Sequence, residues 1–218
     1  KLRSNMFTHT LKTHGEKDLR LYNYRLNKIR LIWPQQILNL ISNFNIKTIN
    51  DLGCNYFQLF KEIKIRKKNY DYFGYDLEPQ FVNIGLKKFP ELKKKYKICN
   101  IENIKLRKCD CSVISATLEH SDNPLKVLRN LVKSSKKIII IRGYFGYKDE
   151  KARQTLSVKN PCNHNQFSFK KISSFFKKNY FSSYFILDEA TSFSSKYKLI
   201  NKNHKLKRKM YICFAIKS

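Results

Sequence analysis

The sequence is poor in acidic residues and in glycine. Its 218 residues contain 45 Lys and Arg against 16 Asp and Glu, a formal net charge of +29, and only 6 glycines. A charge of this sign favours anionic partners such as nucleic acid, anionic lipid surfaces or phosphorylated substrates. A lysine-biased composition also produces a basic surface by itself, so the charge does not choose among these partners.

Long apolar runs are also absent. Runs such as Ile138 to Ile141 and Met210 to Ile216 are far shorter than the ~20 apolar residues of a membrane-spanning helix. We therefore predict a protein with no membrane span and a cytoplasmic location.

Paired cysteine motifs are missing. The chain has six cysteines, and none belongs to a C-x-x-C pair of the kind used by zinc sites and redox motifs. Cys109 and Cys111 are predicted to share one face of a strand, but no second pair would complete a zinc tetrahedron. We expect buried, reduced thiols and no metal site.

Segments of strand and helix character alternate along the chain. A strand in KTINDLG precedes a helix from about Gln58 to Arg66, and the same exchange recurs as far as the strand around Ile138 to Ile141. This pattern predicts an α/β fold, with a doubly wound, mostly parallel, seven-stranded sheet and helices on both faces. The last two predicted strands, in YFSSYFILD and MYICFAIKS, are expected to pair antiparallel at the sheet edge.

Two regions of unequal size are predicted. Residues 1–33 are polar and basic with loosely spaced apolar positions, which indicates a helical extension that lies on a larger body. Residues 34–218 form the main domain, because a chain of this length can bury one core but hardly two.

The stretch INDLGCNYFQLF lies between the first strand and the first helix, where doubly wound sheets bind ligands. Its single glycine excludes the G-x-G-x-x-G pattern that admits a dinucleotide pyrophosphate. Gly53 accommodates a positive φ, and Asn55 is among the few other residues that tolerate one. Asp51 would repel a phosphate but suits a positively charged ligand. Asp76, which ends the second strand, can accept hydrogen bonds from both ribose hydroxyls of a nucleoside.

From about Pro34 to Asp188 the sequence resembles the class I S-adenosylmethionine-dependent methyltransferases. The first motif, DLGCNYF, keeps the family's acid and first glycine but departs from its later glycines at Asn55 and Phe57. The segments GYDLEPQFV, CNIENI and CDCSVISATLEHSDNPLKVLRNL match the second, third and fourth motifs. The resemblance implies S-adenosylmethionine as cofactor, bound by Asp51, Gly53, Cys54, Asn55, Asp76, Leu77, Asn100, Ile101 and Ser115.

Two histidines are candidate catalytic residues. Methyl transfer to a hydroxyl requires removal of a proton, and an imidazole suits that task. His120 follows the fourth predicted strand on the rim where an acceptor would approach, although it can equally serve to orient its loop. His164, in a later loop, is a second candidate base or a simple loop contact. Arg142, Tyr144 and Tyr147 are expected to form a lip around the acceptor.

The predicted acceptor is a small molecule or a glycan, anionic and methylated at oxygen. Enzymes that methylate base amines usually carry an Asn/Asp-Pro-Pro-aromatic motif after the fourth strand, where this chain has SATLEH. The segment NHNQFSFKKISSFF resembles the small-molecule branch of the family. One alternative is an RNA methyltransferase that uses the basic runs Lys61–Lys68 and Lys202–Lys209. The other is a binding protein of the same fold that has lost the reaction, suggested by Asn55, Phe57 and Asn100.

Overall fold

A computed structural model describes residues 16–154, 162–189, 198–201, 204–206 and 209–218. The side chains of the predicted basic run 202–209, apart from residue 209, lie outside the described part. The helices are α1 Glu16–Lys28, α2 Ile32–Ile41, α3 Gln58–Ile65, α4 Pro79–Lys88, α5 Pro124–Ser134 and α6 Phe169–Lys177. The strands are β1 Thr48–Leu52, β2 Asp71–Asp76, β3 Tyr96–Ile98, β4 Cys109–Ser115, β5 Ser135–Gly146, β6 Arg153–Gln154, β7 Cys162–Asn163, β8 Phe167–Ser168, β9 Phe181–Leu187, β10 Lys198–Asn201, β11 His204–Leu206 and β12 Met210–Lys217.

Seven strands form the central sheet in the order β3-β2-β1-β4-β5-β12-β9. β1 to β5 are mutually parallel, and β12 runs antiparallel between β5 and the edge strand β9. The predicted doubly wound, mostly parallel sheet and its antiparallel pairing at one edge are confirmed. Ile138 to Ile141 of β5 have no exposed surface, as expected for a central strand that is covered on both faces.

Helices cover both faces of the sheet, as predicted. α2, α3 and α4 bury Ile37, Leu59 and Val82 in one apolar cluster. α5 and α6 bury Leu128 and Phe176 in a second cluster on the opposite face. Each helix therefore places one apolar stripe on the sheet and its polar side outward.

The N-terminal segment packs on the main body. Leu26 of α1 is buried in the same cluster as α2 and α3. The ammonium of Lys61 donates to the carbonyls of Leu26 and Ile29 at 2.7 Å each, and Arg30 forms two hydrogen bonds with the buried carboxylate of Glu62. Because α2 begins at Ile32, the proposed boundary at residue 33 falls inside a helix. The division into 1–33 and 34–218 stays a prediction.

Among the described residues, no helix combines the length and the apolar character that crossing a bilayer requires.

Candidate functional site

A cavity of about 390 Å³ lies at the carboxyl ends of β1, β2, β4 and β5. This is the edge at which doubly wound sheets bind ligands, and the volume is in the range of small-molecule sites. Its lining comprises Arg25, Leu31, Trp33, Gly53, Cys54, Asn55, Gln58, Asp76, Leu77, Phe81, Cys99, Ile101, Ser115, Ala116, Thr117, His120 and Arg142.

The turn after β1 contains three residues in the left-handed region. Gly53 has φ 72°, Asn55 has φ 51° and Phe57 has φ 60°. A Cβ on Gly53 would lie 2.1 Å from the Thr117 hydroxyl oxygen, so the turn and the loop after β4 approach too closely for a side chain. Glycine is therefore required at position 53 both by its φ and by the nearby Thr117 side chain.

The aromatic residues of this turn point away from the cavity. Tyr56 and Phe57 are fully buried, and neither contributes to the cavity lining. The Phe57 ring fills space beside two other glycines: a Cβ would lie 3.0 Å from this ring at Gly74 and 2.6 Å from it at Gly85. Phe57 stands where the family motif has a glycine. Its ring packs in the core beside Gly74 and Gly85, so it does not fill the cavity. The interior glycines of β2 and α4 were the sequence signal for this packing, which sequence reasoning missed.

Asp76 presents a carboxylate to the cavity from the end of β2. Oδ2 accepts a hydrogen bond from the Asn55 backbone at 2.8 Å, and Oδ1 accepts one from the Glu78 backbone at 2.9 Å. Burial raises the pKa of this carboxyl to about 6, against the lowering effect of the backbone donors. The hydrogen bonds hold the carboxylate against the glycine turn, where its remaining lone pairs can accept from ligand hydroxyls.

Asn55 also contributes a buried acceptor. Its side-chain oxygen Oδ1 is inaccessible to solvent and has no hydrogen-bond partner among the described residues, and Asn55 lines the cavity. An orphaned buried acceptor at a cavity wall is unfavourable unless a ligand donates to it.

Asp51 does not line the cavity, although it was predicted to bind the cofactor. It is 2% exposed, and its Oδ2 accepts a 2.7 Å hydrogen bond from the Tyr72 hydroxyl. Burial raises the pKa of Asp51 to about 7, and the nearby Asp76 carboxylate adds to this rise. Any action of Asp51 on a ligand in the cavity is therefore indirect.

One end of the cavity is mainly apolar. Leu77 and Ile101, both predicted, line it together with Phe81 and Cys99, which sequence reasoning missed. Burial raises the pKa of the Cys99 thiol to about 11, so this thiol stays neutral near pH 7. The predicted Asn100 is absent from the lining and instead accepts a hydrogen bond from the Glu102 backbone at 2.9 Å.

Cys54 and Ser115, the remaining predicted cofactor residues, both line the cavity. Burial raises the pKa of the Cys54 thiol well above its ordinary value. Both residues lie at strand ends, Cys54 two residues after β1 and Ser115 as the last residue of β4.

His120 also lines the cavity, from the short turn after β4. Its Nδ1 lies 2.7 Å from the carbonyl oxygen of Asn163. A carbonyl only accepts, so Nδ1 carries the proton and Nε2 is the basic nitrogen of the neutral ring. His164 does not line the cavity; its ring packs 5.4 Å from that of His120 and 4.9 Å from that of Tyr144.

The loop that carries His120 is held by Glu102, a function that sequence reasoning missed. The carboxylate of Glu102 accepts hydrogen bonds from the Ser121 hydroxyl at 2.6 Å and from the backbone of Asp122 and Asn123 at 2.9 and 3.0 Å. This single acid therefore links the segment after β3 to the turn after β4.

Arg142 is a further polar residue of the cavity lining. It is 6% exposed and pairs through Nε with the fully buried Asp188 at 2.8 Å. Nη1 donates to the Ser115 hydroxyl at 3.3 Å, and the guanidinium lies 5.8 Å from the centre of the Trp33 ring. Of the two other residues expected in the lip, Tyr144 packs on His164, and Tyr147 is 97% exposed and absent from the lining.

Within the described ranges, no group of three or more His, Cys, Asp or Glu side chains is arranged to hold a metal ion.

The lining fits an adenosine-containing cation. Asp76 and the orphaned oxygen of Asn55 are acceptors for ligand hydroxyl or ammonium groups, and the apolar end offers a cleft for a flat ring.

Comparison with known proteins agrees with this geometry. Residues 50–138 match the model of a family described as a methyltransferase domain. No curated protein matches the chain.

Several solved structures share the fold. Magnesium protoporphyrin IX methyltransferase from Synechocystis PCC 6803, with bound S-adenosylmethionine, is 14% identical, with a TM-score of 0.57 and coverage of 93% of this chain and 83% of that chain. A S-adenosylmethionine-dependent methyltransferase from Clostridium acetobutylicum is 12% identical, with a TM-score of 0.64 and coverage of 93% and 98%. A phosphoethanolamine N-methyltransferase from Haemonchus contortus is 14% identical, with a TM-score of 0.63 and coverage of 92% and 57%.

The matched domain implies S-adenosylmethionine as the cofactor. Residues 50–138 thus carry a methyltransferase domain, and the chain shares its fold with class I S-adenosylmethionine-dependent methyltransferases.

Proposed function

We propose that the protein methylates a hydroxyl oxygen of an anionic small molecule or glycan, with His120 as the general base. The observation that carries the proposal is the hydrogen bond between His120 Nδ1 and the Asn163 carbonyl, which directs the basic nitrogen to Nε2 on a residue that lines the cofactor cavity.

The cofactor is held by residues from both sides of the first turn. We assign the ribose to Asp76 and the adenine ring to the apolar end formed by Leu77 and Ile101, with Gly53 and Asn55 providing the close backbone approach. When bound, S-adenosylmethionine supplies a methyl group that is already activated by its sulfonium. The protein then has to position the acceptor, exclude water and remove one proton.

The burial and the hydrogen bonding of His120 support this role in proton transfer. It is 7% exposed, so its ring is screened from bulk water, and the Asn163 carbonyl fixes its tautomer. His164 packs behind it and is assigned a positioning role. A base with one oriented nitrogen accelerates deprotonation of a hydroxyl by about 10² to 10⁴.

The acceptor end favours a negatively charged molecule with a sugar-like ring. Arg25 and Arg142 both line the cavity, against one acid of its lining, Asp76, which is assigned to the ribose. Arg142 is held by Asp188, so its planar donor set is oriented before an anion arrives. Trp33 offers an aromatic face beside it, on which the apolar side of a sugar ring can pack.

Calorimetric titration with S-adenosylmethionine and S-adenosylhomocysteine tests the cofactor half of the proposal. Micromolar binding, about −8 kcal/mol, is expected. Absence of binding by the wild-type protein would overturn the proposal.

Turnover tests the chemical half. Release of S-adenosylhomocysteine is followed with a panel of sugar phosphates and sugar acids, each paired with its neutral parent sugar. The charged members should turn over faster. His120→Gln should lower the rate by at least about a hundredfold with unchanged cofactor affinity, whereas the exposed Tyr147→Phe control should match the wild type. Full activity of His120→Gln would remove His120 from the reaction.

A further inference from the structure

A second concave surface lies next to the cofactor cavity. It is a groove of about 620 Å³ between the segment after β3 and helix α5. Its lining comprises Glu102, Asn103, Ile104, Lys105, Leu106, Lys108, Lys126, Asn130, Lys133 and Ser134.

Four lysines line this groove, and its acid, Glu102, is already engaged. The Glu102 carboxylate accepts three hydrogen bonds from the turn at residues 121–123 and is 7% exposed. The ammonium groups of Lys126 and Lys108 donate to neutral partners, the Asn103 side chain at 2.7 Å and the Lys133 carbonyl at 2.8 Å. The groove therefore keeps a concentrated positive charge, which favours a polyanion.

On the opposite face of the sheet, several charged side chains form ion pairs. There Lys64 pairs with Glu91, Lys95 with Asp71 at 2.5 Å, and Glu62 with two arginines. Helix α5, by contrast, contains no Asp or Glu in its sequence PLKVLRNLVKS, although Lys171 of α6 pairs with Asp149 at 2.6 Å. The excess charge is thus not evenly compensated over the surface.

The remaining groove side chains select the kind of polyanion. None of its lining residues is aromatic, whereas proteins that bind single-stranded nucleic acid stack bases on aromatic rings. Asn103, Asn130 and Ser134 add amide and hydroxyl groups of the kind that bond to sugar hydroxyls.

The groove borders the cavity at Glu102. Glu102 lines the groove, directly follows Ile101 of the cavity lining, and accepts a hydrogen bond from Ser121, the residue after His120. We propose that the groove binds an acidic glycan whose end reaches the methyl-transfer cavity, an inference that rests on the proposed function and extends its acceptor from a small molecule to a chain.

Fluorescence anisotropy with a labelled oligogalacturonate tests the proposal, with a neutral maltooligosaccharide of equal length and a single-stranded RNA of equal charge as competitors. The wild type should bind the oligogalacturonate, with affinity that falls as salt is raised. The neutral chain should not compete, and the RNA should compete less well.

Two triple variants, each of which removes three positive charges, distinguish binding in the groove from binding to the basic surface in general. Lys105, Lys126 and Lys133 are changed to Gln in one, and the exposed Lys68, Lys87 and Lys93 on the opposite side in the other. The groove variant should bind at least about tenfold more weakly, a loss of about 1.4 kcal/mol, and the control should bind within about twofold of the wild type.

Equal loss in both variants, no binding by the wild type, or stronger competition by RNA would each overturn the glycan assignment. Calorimetry with S-adenosylhomocysteine on the same proteins distinguishes failure of the glycan proposal from failure of the proposed function. Both triple variants should bind it like the wild type, so failure of cofactor binding would be visible independently of the groove.

Discussion

The two ends of the cavity are built in different ways. The cofactor end depends on backbone conformation, with a left-handed glycine turn and one carboxylate held by backbone donors. The acceptor end depends on side chains that are each held by a distant partner: His120 by Asn163, and Arg142 by Asp188. A cofactor that is the same for the whole family suits a turn built from backbone, whereas an acceptor that differs between relatives suits exchangeable side chains.

The largest effect is expected at the acceptor end. Asp188→Ala would leave Arg142 buried without its counter-ion, and breaking such a pair costs about 3–5 kcal/mol. Denaturant unfolding would measure this loss, while the affinity for S-adenosylhomocysteine of the folded protein should change less than about tenfold. A double variant, Arg142→Met with Asp188→Leu, should recover most of the stability because it removes both charges. A destabilisation below about 1 kcal/mol for Asp188→Ala would show that the pair is not desolvated.

Gly53→Ala should be the most damaging single change at the cofactor end. The new Cβ would lie 2.1 Å from the Thr117 hydroxyl oxygen, at a backbone φ of 72°. Strain and displacement of the loop should cost about 2–3 kcal/mol of stability and weaken cofactor binding by at least about a hundredfold in calorimetry. Gly143→Ala is the matched control, since its Cβ would meet a side-chain oxygen at 3.4 Å, an ordinary contact. Similar behaviour of the two variants would contradict the close approach of the two loops.

Asp76→Asn should weaken cofactor binding by about 1.5–3 kcal/mol, the usual contribution of hydrogen bonds to a charged group. The pKa of Asp76 is about 6, and a ligand that donates to the ionised carboxylate binds best above this value. Wild-type affinity should therefore fall as the pH drops through about 6, and this dependence should disappear in the variant. A pH profile that is the same in both proteins would remove Asp76 from the ribose site.

The sequence was sufficient for the sheet and for most of the cofactor end. The alternation of strands and helices can be predicted from short segments of sequence, and the spacing between Gly53 and Asp76 follows from one strand-helix-strand unit. The inward packing of Phe57 was not predictable from its own motif, because the space it fills is created by Gly74 and Gly85 in other elements. In sequence, the departure from the family's glycines suggested a loss of function; in the structure, the Phe57 ring packs in the core and does not line the cavity.

The acceptor end was predictable only in part. His120 and Arg142 were identified from their places after strands, but their partners Asn163 and Asp188 lie more than 40 residues away in sequence. Trp33 and Arg25 reach the cavity from the N-terminal segment, which sequence alone described as an extension. Contacts between residues so far apart in sequence depend on how the helices pack on the sheet, and local sequence patterns do not predict that packing.

Asp51 should have the smallest effect on cofactor affinity, and it gives the sharpest test of the cofactor end. Its pKa is about 7 in the folded protein, above the ~3.9 of an unfolded chain. Between pH ~4 and pH ~7 the carboxyl of Asp51 is therefore protonated in the folded protein and ionised in the unfolded chain. As the pH rises through this range, the free energy of unfolding should fall by at most ~1.4 kcal/mol per pH unit. Asp51→Asn should remove this slope from unfolding free energies measured across that range. Since Asp51 contacts Tyr72 and not the cavity, cofactor affinity at pH 7 should fall less than about threefold. A larger fall would mean that its charge acts on the cofactor through the turn, as the sequence first suggested.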